Sequence, residues 1–76
     1  MDGSNTNRGD MRYYITKDGT DVLVNPEQIT VVTMAQEPNG SLWIANVWTT
    51  GAPVPVVLIQ PNFPALRAYV MEGEHF

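Results

Sequence analysis

Cysteine is absent from the 76 residues. Neither a disulfide nor a thiolate metal site can staple the chain, so its stability has to come from packing or from a partner. The absence also fits a reducing compartment, and the sequence predicts a cytoplasmic protein. Histidine is nearly missing too, His75 being the only one. Nucleophilic catalysis needs a Ser, Thr or Cys with a base in reach and a group to orient that base. With Ser4 in a polar leader and Ser41 in a turn, no triad can be assembled, and the expectation is a protein that is not an enzyme. Basic residues are few, four Lys and Arg against eight Asp and Glu, for a net charge of -4. Such a surface repels phosphate and argues against a sequence-independent grip on nucleic acid. Imitation of nucleic acid would need carboxylates massed on one face, and these are scattered along the chain.

Cofactor and metal chemistry find little to work with. Gly19, Gly40 and Gly51 are isolated turn glycines and do not form a phosphate-cradling loop after a strand. Asp18 and Asp21 flank a turn, but the alternating oxygen ligands of a calcium loop are missing. Glu72 and Glu74, at a helix end, have no cleft to separate them into a general acid and a base. The sequence therefore predicts no cofactor, no metal and no catalytic residues. Tyr13, Tyr14, Trp43 and Trp48 could stack on bases, but stacking platforms are interleaved with basic residues and only Arg12 and Lys17 are near.

Long apolar runs are missing as well. No charge falls between Glu37 and Arg67, yet Pro38, Pro53, Pro55, Pro61 and Pro64 interrupt that window, so no membrane-spanning helix is expected. Residues Met1 to Asp10 are polar and lack the apolar centre of a secretory signal. They read as a disordered leader, 1-10, followed by one small domain, 11-76. The leader contains Arg8-Gly9-Asp10, a tripeptide that can serve as an integrin ligand in extracellular proteins and otherwise arises by chance.

What is present is a series of β-branched and aromatic runs separated by turn residues. Arg12 to Thr16 and Asp21 to Val24 flank an Asp-Gly pair, a strong hairpin signal because glycine accepts the positive φ of the turn. Asn25-Pro26 reads as the cap and first position of a single helical turn. Ile29 to Ala35 and Ser41 to Trp48 are strands joined across Pro38-Asn39-Gly40. Val54 to Ile59 is a fifth strand, and Pro55 confines it to a sheet edge or delays its pairing. A short helix from Phe63 to Met71 follows, with Phe63, Leu66 and Val70 on one stripe, Arg67 and Glu72 on the wet side, and Gly73 as its C-cap. The last residues, GEHF, read as frayed.

The sum is an α+β fold, a small antiparallel sheet of four to five strands with one C-terminal helix. Leu42 to Ile59 should form its central hairpin. Along the third long strand Leu42, Ile44, Asn46 and Trp48 share one face, and Trp43, Ala45 and Val47 the other. One helix can cover only part of one face, so the opposite face is left apolar and free of charge. Uncovered apolar patches usually mark interaction surfaces. The expected partner-binding residues are Trp43, Trp48, Val47, Val54, Val56 and Leu58, with one tryptophan exposed as the anchor.

The succession Gly19, Val22-Leu23-Val24-Asn25-Pro26 and Ile29, then strands and a helical end, resembles the layout of the small FlbD-like proteins associated with flagellar operons. The resemblance spans about Met11 to Val70. It implies a small cytoplasmic regulatory or accessory protein with no catalytic residues to transfer. The proline-rich fourth and fifth strands depart from that pattern, as does the lack of a basic C-terminal helix. Two functions of different class follow: an accessory, regulatory or phage-type inhibitor module that binds a protein, and a structural homo-oligomer that buries the same face on itself. A nucleic-acid-directed regulator is the third.

Overall fold

The computed structural model describes residues 11–74. The expected leader, its Arg8-Gly9-Asp10 tripeptide and His75 lie outside the described residues. The strands are β1 (Arg12–Ile15), β2 (Asp21–Val24), β3 (Ile29–Gln36), β4 (Trp43–Thr49) and β5 (Val56–Gln60), followed by the helix α1 (Phe63–Glu72).

The first hairpin closes as its turn residues dictate. Gly19 takes a φ of 88°, and its N–H donates to the Thr16 carbonyl at 2.9 Å. Asn25 caps a single 3-10 turn, its side chain accepting from the Glu27 amide at 3.0 Å. The strands do not join one sheet, which corrects the expectation of a single four- to five-stranded sheet: β1 and β2 form a two-stranded sheet, and β3, β4 and β5 a three-stranded one in that order. The 3-10 turn breaks the chain between β2 and β3, and its last residue is tied to the far end of β4, where the Thr50 amide donates to the Gln28 carbonyl at 2.8 Å. The first hairpin meets the larger sheet by its turn, with the Lys17 amide donating to the Val57 carbonyl at 2.8 Å.

All pairing is antiparallel, and β4 is central. Gln36 stands opposite Trp43 and Val32 opposite Val47, with a register shift between Ile29 and Val31. Regular pairing of β5 starts at Val56, after Pro55, which has no N–H to give a ladder. The strand expected from Val54 is shorter at its start for that reason, and β4 likewise begins two residues later than Ser41.

Helix α1 starts at an Asn62 cap, whose side chain accepts from the Ala65 amide at 2.9 Å. It buries Leu66 and Val70, and leaves Arg67 and Glu72 exposed. Phe63, expected on the buried stripe, is 40% exposed. Tyr14, Val24, Ala45, Val47, Leu58, Leu66 and Val70 make the core. It lies between the helix, the first hairpin and one face of the larger sheet.

The C-terminal end of α1 is anchored through Gly73 and Glu74, which corrects the expectation of fraying for these two residues; His75 and Phe76, the rest of that stretch, lie outside the described residues. Gly73, φ 78°, is buried, and the Glu74 amide donates to the Tyr13 carbonyl at 2.6 Å. The Tyr14 hydroxyl (2.6 Å) and an Arg12 guanidinium nitrogen (3.2 Å) both donate to the Val70 carbonyl. They satisfy one of the orphan acceptors of the helix end, and the cation there complements the helix dipole.

Candidate functional site

Directly opposite residues of an antiparallel pair share a face. The register therefore divides the larger sheet into two sides. Val32 and Met34 of β3, Trp43, Ala45 and Val47 of β4, and Val56 and Leu58 of β5 face the core and α1. On the outer side Val31 stands opposite Trp48, Thr33 opposite Asn46, Ala35 opposite Ile44, then Asn46 opposite Val57 and Ile44 opposite Ile59. Not one of these outer residues can ionise. Val31 is 52% and Trp48 37% exposed, and the rest are exposed or half-buried.

The composition of that face follows from β4, where apolar residues occupy both alternations. Two polar residues sit at its middle, and the Asn46 side-chain amide donates to the Thr33 hydroxyl at 3.4 Å. They leave Trp48 with Val31 at one end and Ile44 with Ala35 and Ile59 at the other. Among the described residues no strand pairs with the outer edge of β3. That strand carries no charge along its eight residues, so it lacks the lysines and prolines that ordinarily guard an edge. Its register shift, beside a Thr30 hydroxyl that donates to the Trp48 carbonyl at 3.3 Å, marks the one irregularity. The edge of β1 contrasts with it, being closed by the Glu74 amide and by the Tyr69 hydroxyl, which accepts from the Ile15 amide at 2.8 Å.

The six residues expected to bind a partner separate. Trp48 is on the outer face. Trp43 is half-buried on the core side, its ring 5.2 Å from that of Phe63, so it belongs to the packing of the fold. Val47 and Leu58 are fully buried and cannot touch a partner in this fold. Val54 is 67% exposed ahead of β5, and Val56 is half-buried on the wall of an open cleft of about 670 Å3, with Val22, Pro55, Lys17 and Asp18 also lining it. Val31, Ala35, Val57 and Ile59, which share the outer side with Trp48, were not among the expected residues, and Ile44 was expected only as a face-mate of Trp48. The alternation along β4 held the signal, since choosing Trp48 as the outward ring carries Ile44 with it and excludes Val47.

Titratable groups are absent from the paired residues of this face, although Lys17 and Asp18 line the cleft that Val57 borders at its β5 edge. Asp18 accepts from the Thr16 hydroxyl, and hydrogen bonds from Thr16 and then Thr20 hold its carboxyl below the usual range. Asp21 accepts from the Tyr13 hydroxyl at 2.9 Å; that bond, with some burial and the nearby carboxylates, pushes the Tyr13 phenol up. Tyr69 is pushed up mainly by burial, with Glu74 adding to it, and its hydroxyl donates to Glu74 at 2.8 Å. Among the described residues no three His, Asp or Glu side chains converge to hold a metal ion, and no helix is long and apolar enough to cross a membrane. Neither a family model, nor a curated protein, nor a solved structure matches the chain.

Proposed function

We propose that the protein is a small, cytoplasmic, non-enzymatic interaction module of accessory, regulatory or inhibitor type, and that it binds a protein partner through the outer face of β3, β4 and β5 and the open edge of β3. The observation that carries this reading is the outer face itself: a contiguous surface with no ionisable group, exposing Trp48 and Val31 side by side. A strand added at β3 would gain backbone hydrogen bonds and continue the apolar face, with Trp48 as the anchor. The resemblance to FlbD-like proteins points to the same kind of regulatory or accessory role.

Self-association is the second reading. Three strands about 4.8 Å apart and some five residues of about 3.3 Å each give the face a projected area of roughly 240 Å2. Even doubled for corrugation this falls short of the roughly 800 Å2 per partner of a standard interface. Any protein held by this face alone, a second copy included, would bind weakly, so a stable complex of either kind has to take the β3 edge as well. A nucleic-acid-directed regulator gains no support from a face without Lys or Arg.

The test compares Trp48→Asp with Leu23→Asp, a charge placed at a residue 65% exposed in the other sheet. Each tagged chain is expressed in its native cell and the co-purifying proteins are identified. The reading requires a stoichiometric partner with wild type and Leu23→Asp that is lost with Trp48→Asp. A partner retained by folded Trp48→Asp contradicts it.

A further inference from the structure

We propose that Asn39 is a site of spontaneous deamidation, which converts the β3–β4 turn into a more acidic form. This inference is independent of what docks on the outer face. The reaction needs an asparagine carboxamide that is free to turn, followed by a residue whose backbone nitrogen can reach it. The nitrogen of residue 40 attacks Cγ of Asn39. The new N–Cγ bond closes a succinimide, the Cγ–Nδ2 bond breaks, and ammonia leaves carrying the proton that the amide gives up. Water then opens the ring at either carbonyl, giving aspartate or isoaspartate.

Each of the other described asparagines is blocked by its surroundings. Asn25 precedes Pro26, which has no N–H, and its side chain is held by the Glu27 amide. Asn62 caps α1 and is held by the Ala65 amide. Asn46 lies within β4, bonded to Thr33 and followed by fully buried Val47. Asn39 is exposed in a turn and precedes Gly40, whose missing side chain leaves the nitrogen open to the approach. The Gly40 N–H is held only by a long 3.4 Å bond to the Glu37 carbonyl.

The Asp18-Gly19 step supplies an internal control, since an aspartate before glycine can close the same ring. There the Gly19 N–H is committed to the Thr16 carbonyl at 2.9 Å. The Asp18 carboxylate is engaged by the Thr16 hydroxyl, and an ionised carboxylate is a poor electrophile. Among the described residues, the two steps in which Asn or Asp precedes glycine thus differ in geometry, and of these the one at residue 39 is poised. Its product adds a negative charge beside Glu37. In the isoaspartate form it also lengthens the main chain between Gln36 and Trp43, which stand opposite each other at the mouth of the hairpin.

The full chain is incubated in mildly alkaline buffer and sampled by isoelectric focusing, by isoaspartyl methyltransferase labelling and by peptide mapping. The proposal expects a species more acidic by one charge, with the label on the peptide that contains residue 39 and none at Asp18. Asn39→Gln should lose that species while keeping the wild-type circular dichroism. A repeat in urea should keep the label at residue 39 and add one at Asp18 once its turn is melted. An acidic species that persists unchanged in Asn39→Gln, a native chain that stays unmodified at residue 39, or label appearing first at Asp18 overturns the proposal.

Discussion

Trp43 and Trp48 lie five apart on one strand and have opposite fates, because an odd separation puts them on opposite faces. Trp43 packs its ring against Phe63 at the start of α1. Trp43→Ala should therefore cost about 2 kcal/mol, below the range for a fully buried tryptophan since the ring is half-buried. Urea denaturation reads that loss as a lower midpoint. Trp48→Asp should cost about 1 kcal/mol, the scale of strand preference, less than Trp43→Ala, and act mainly on binding. Equal and large destabilisation by both substitutions would mean that the outer face is not a free surface. Gly73 is the residue with the least tolerance. At φ 78° and ψ -165° it occupies a region open essentially to glycine alone, worth about 1–3 kcal/mol of strain to another residue. A Cβ there would also lie 2.7 Å from the Tyr13 carbonyl oxygen. Gly73→Ala should lower the urea midpoint more than Trp43→Ala does; a wild-type midpoint would show that the chain end is not anchored to β1.

At the scale of elements, the first hairpin is joined to α1 by tyrosines. The rings of Tyr14 and Tyr69 are 5.6 Å apart, and the Tyr69 hydroxyl bridges the Ile15 amide and the Glu74 carboxylate. The Tyr69 and Tyr13 phenols are both raised above their ordinary value of 10.0. A group whose folded value is raised gives its full contribution below the unfolded value and loses it as pH climbs through the folded one. Stability should thus be level on the acid side of pH 10.0 with respect to these groups and fall above it, and Tyr69→Phe should flatten that fall. A thermal unfolding series across this range checks it; a stability that rises with pH there contradicts it. The hairpin turns, the Asn25 cap and the Gly73 cap were legible in the sequence, because each depends on a few adjacent residues. Which strands pair was not. The separation of β1 and β2 from the larger sheet depends on how the 3-10 turn directs β3, and on contacts such as Lys17 with Val57 that no local pattern encodes. The anchoring of Glu74 was hidden for the same reason, since Tyr13 lies at the other end of the described chain. For the candidate surface the alternation along β4 was readable, but which alternation faced the helix was not.

At the scale of the whole molecule, the paired residues of the outer face carry no charge, and Lys17 and Asp18 meet it only at the β5 edge. One sheet edge, at β1, is closed by the end of the chain, whereas the edge of β3 is open and the sheet beside it uncharged. The most direct measurement on this account is photo-crosslinking in the native cell, with a benzophenone amino acid at position 48 and, as a control, at position 23. The account predicts a discrete adduct with a distinct protein from position 48 and none of that mass from position 23. An adduct of two chains only would shift the reading to self-association. No protein adduct from position 48, or the same adduct from both positions, would contradict the claim that the outer face of β3, β4 and β5 is where this protein meets its partner.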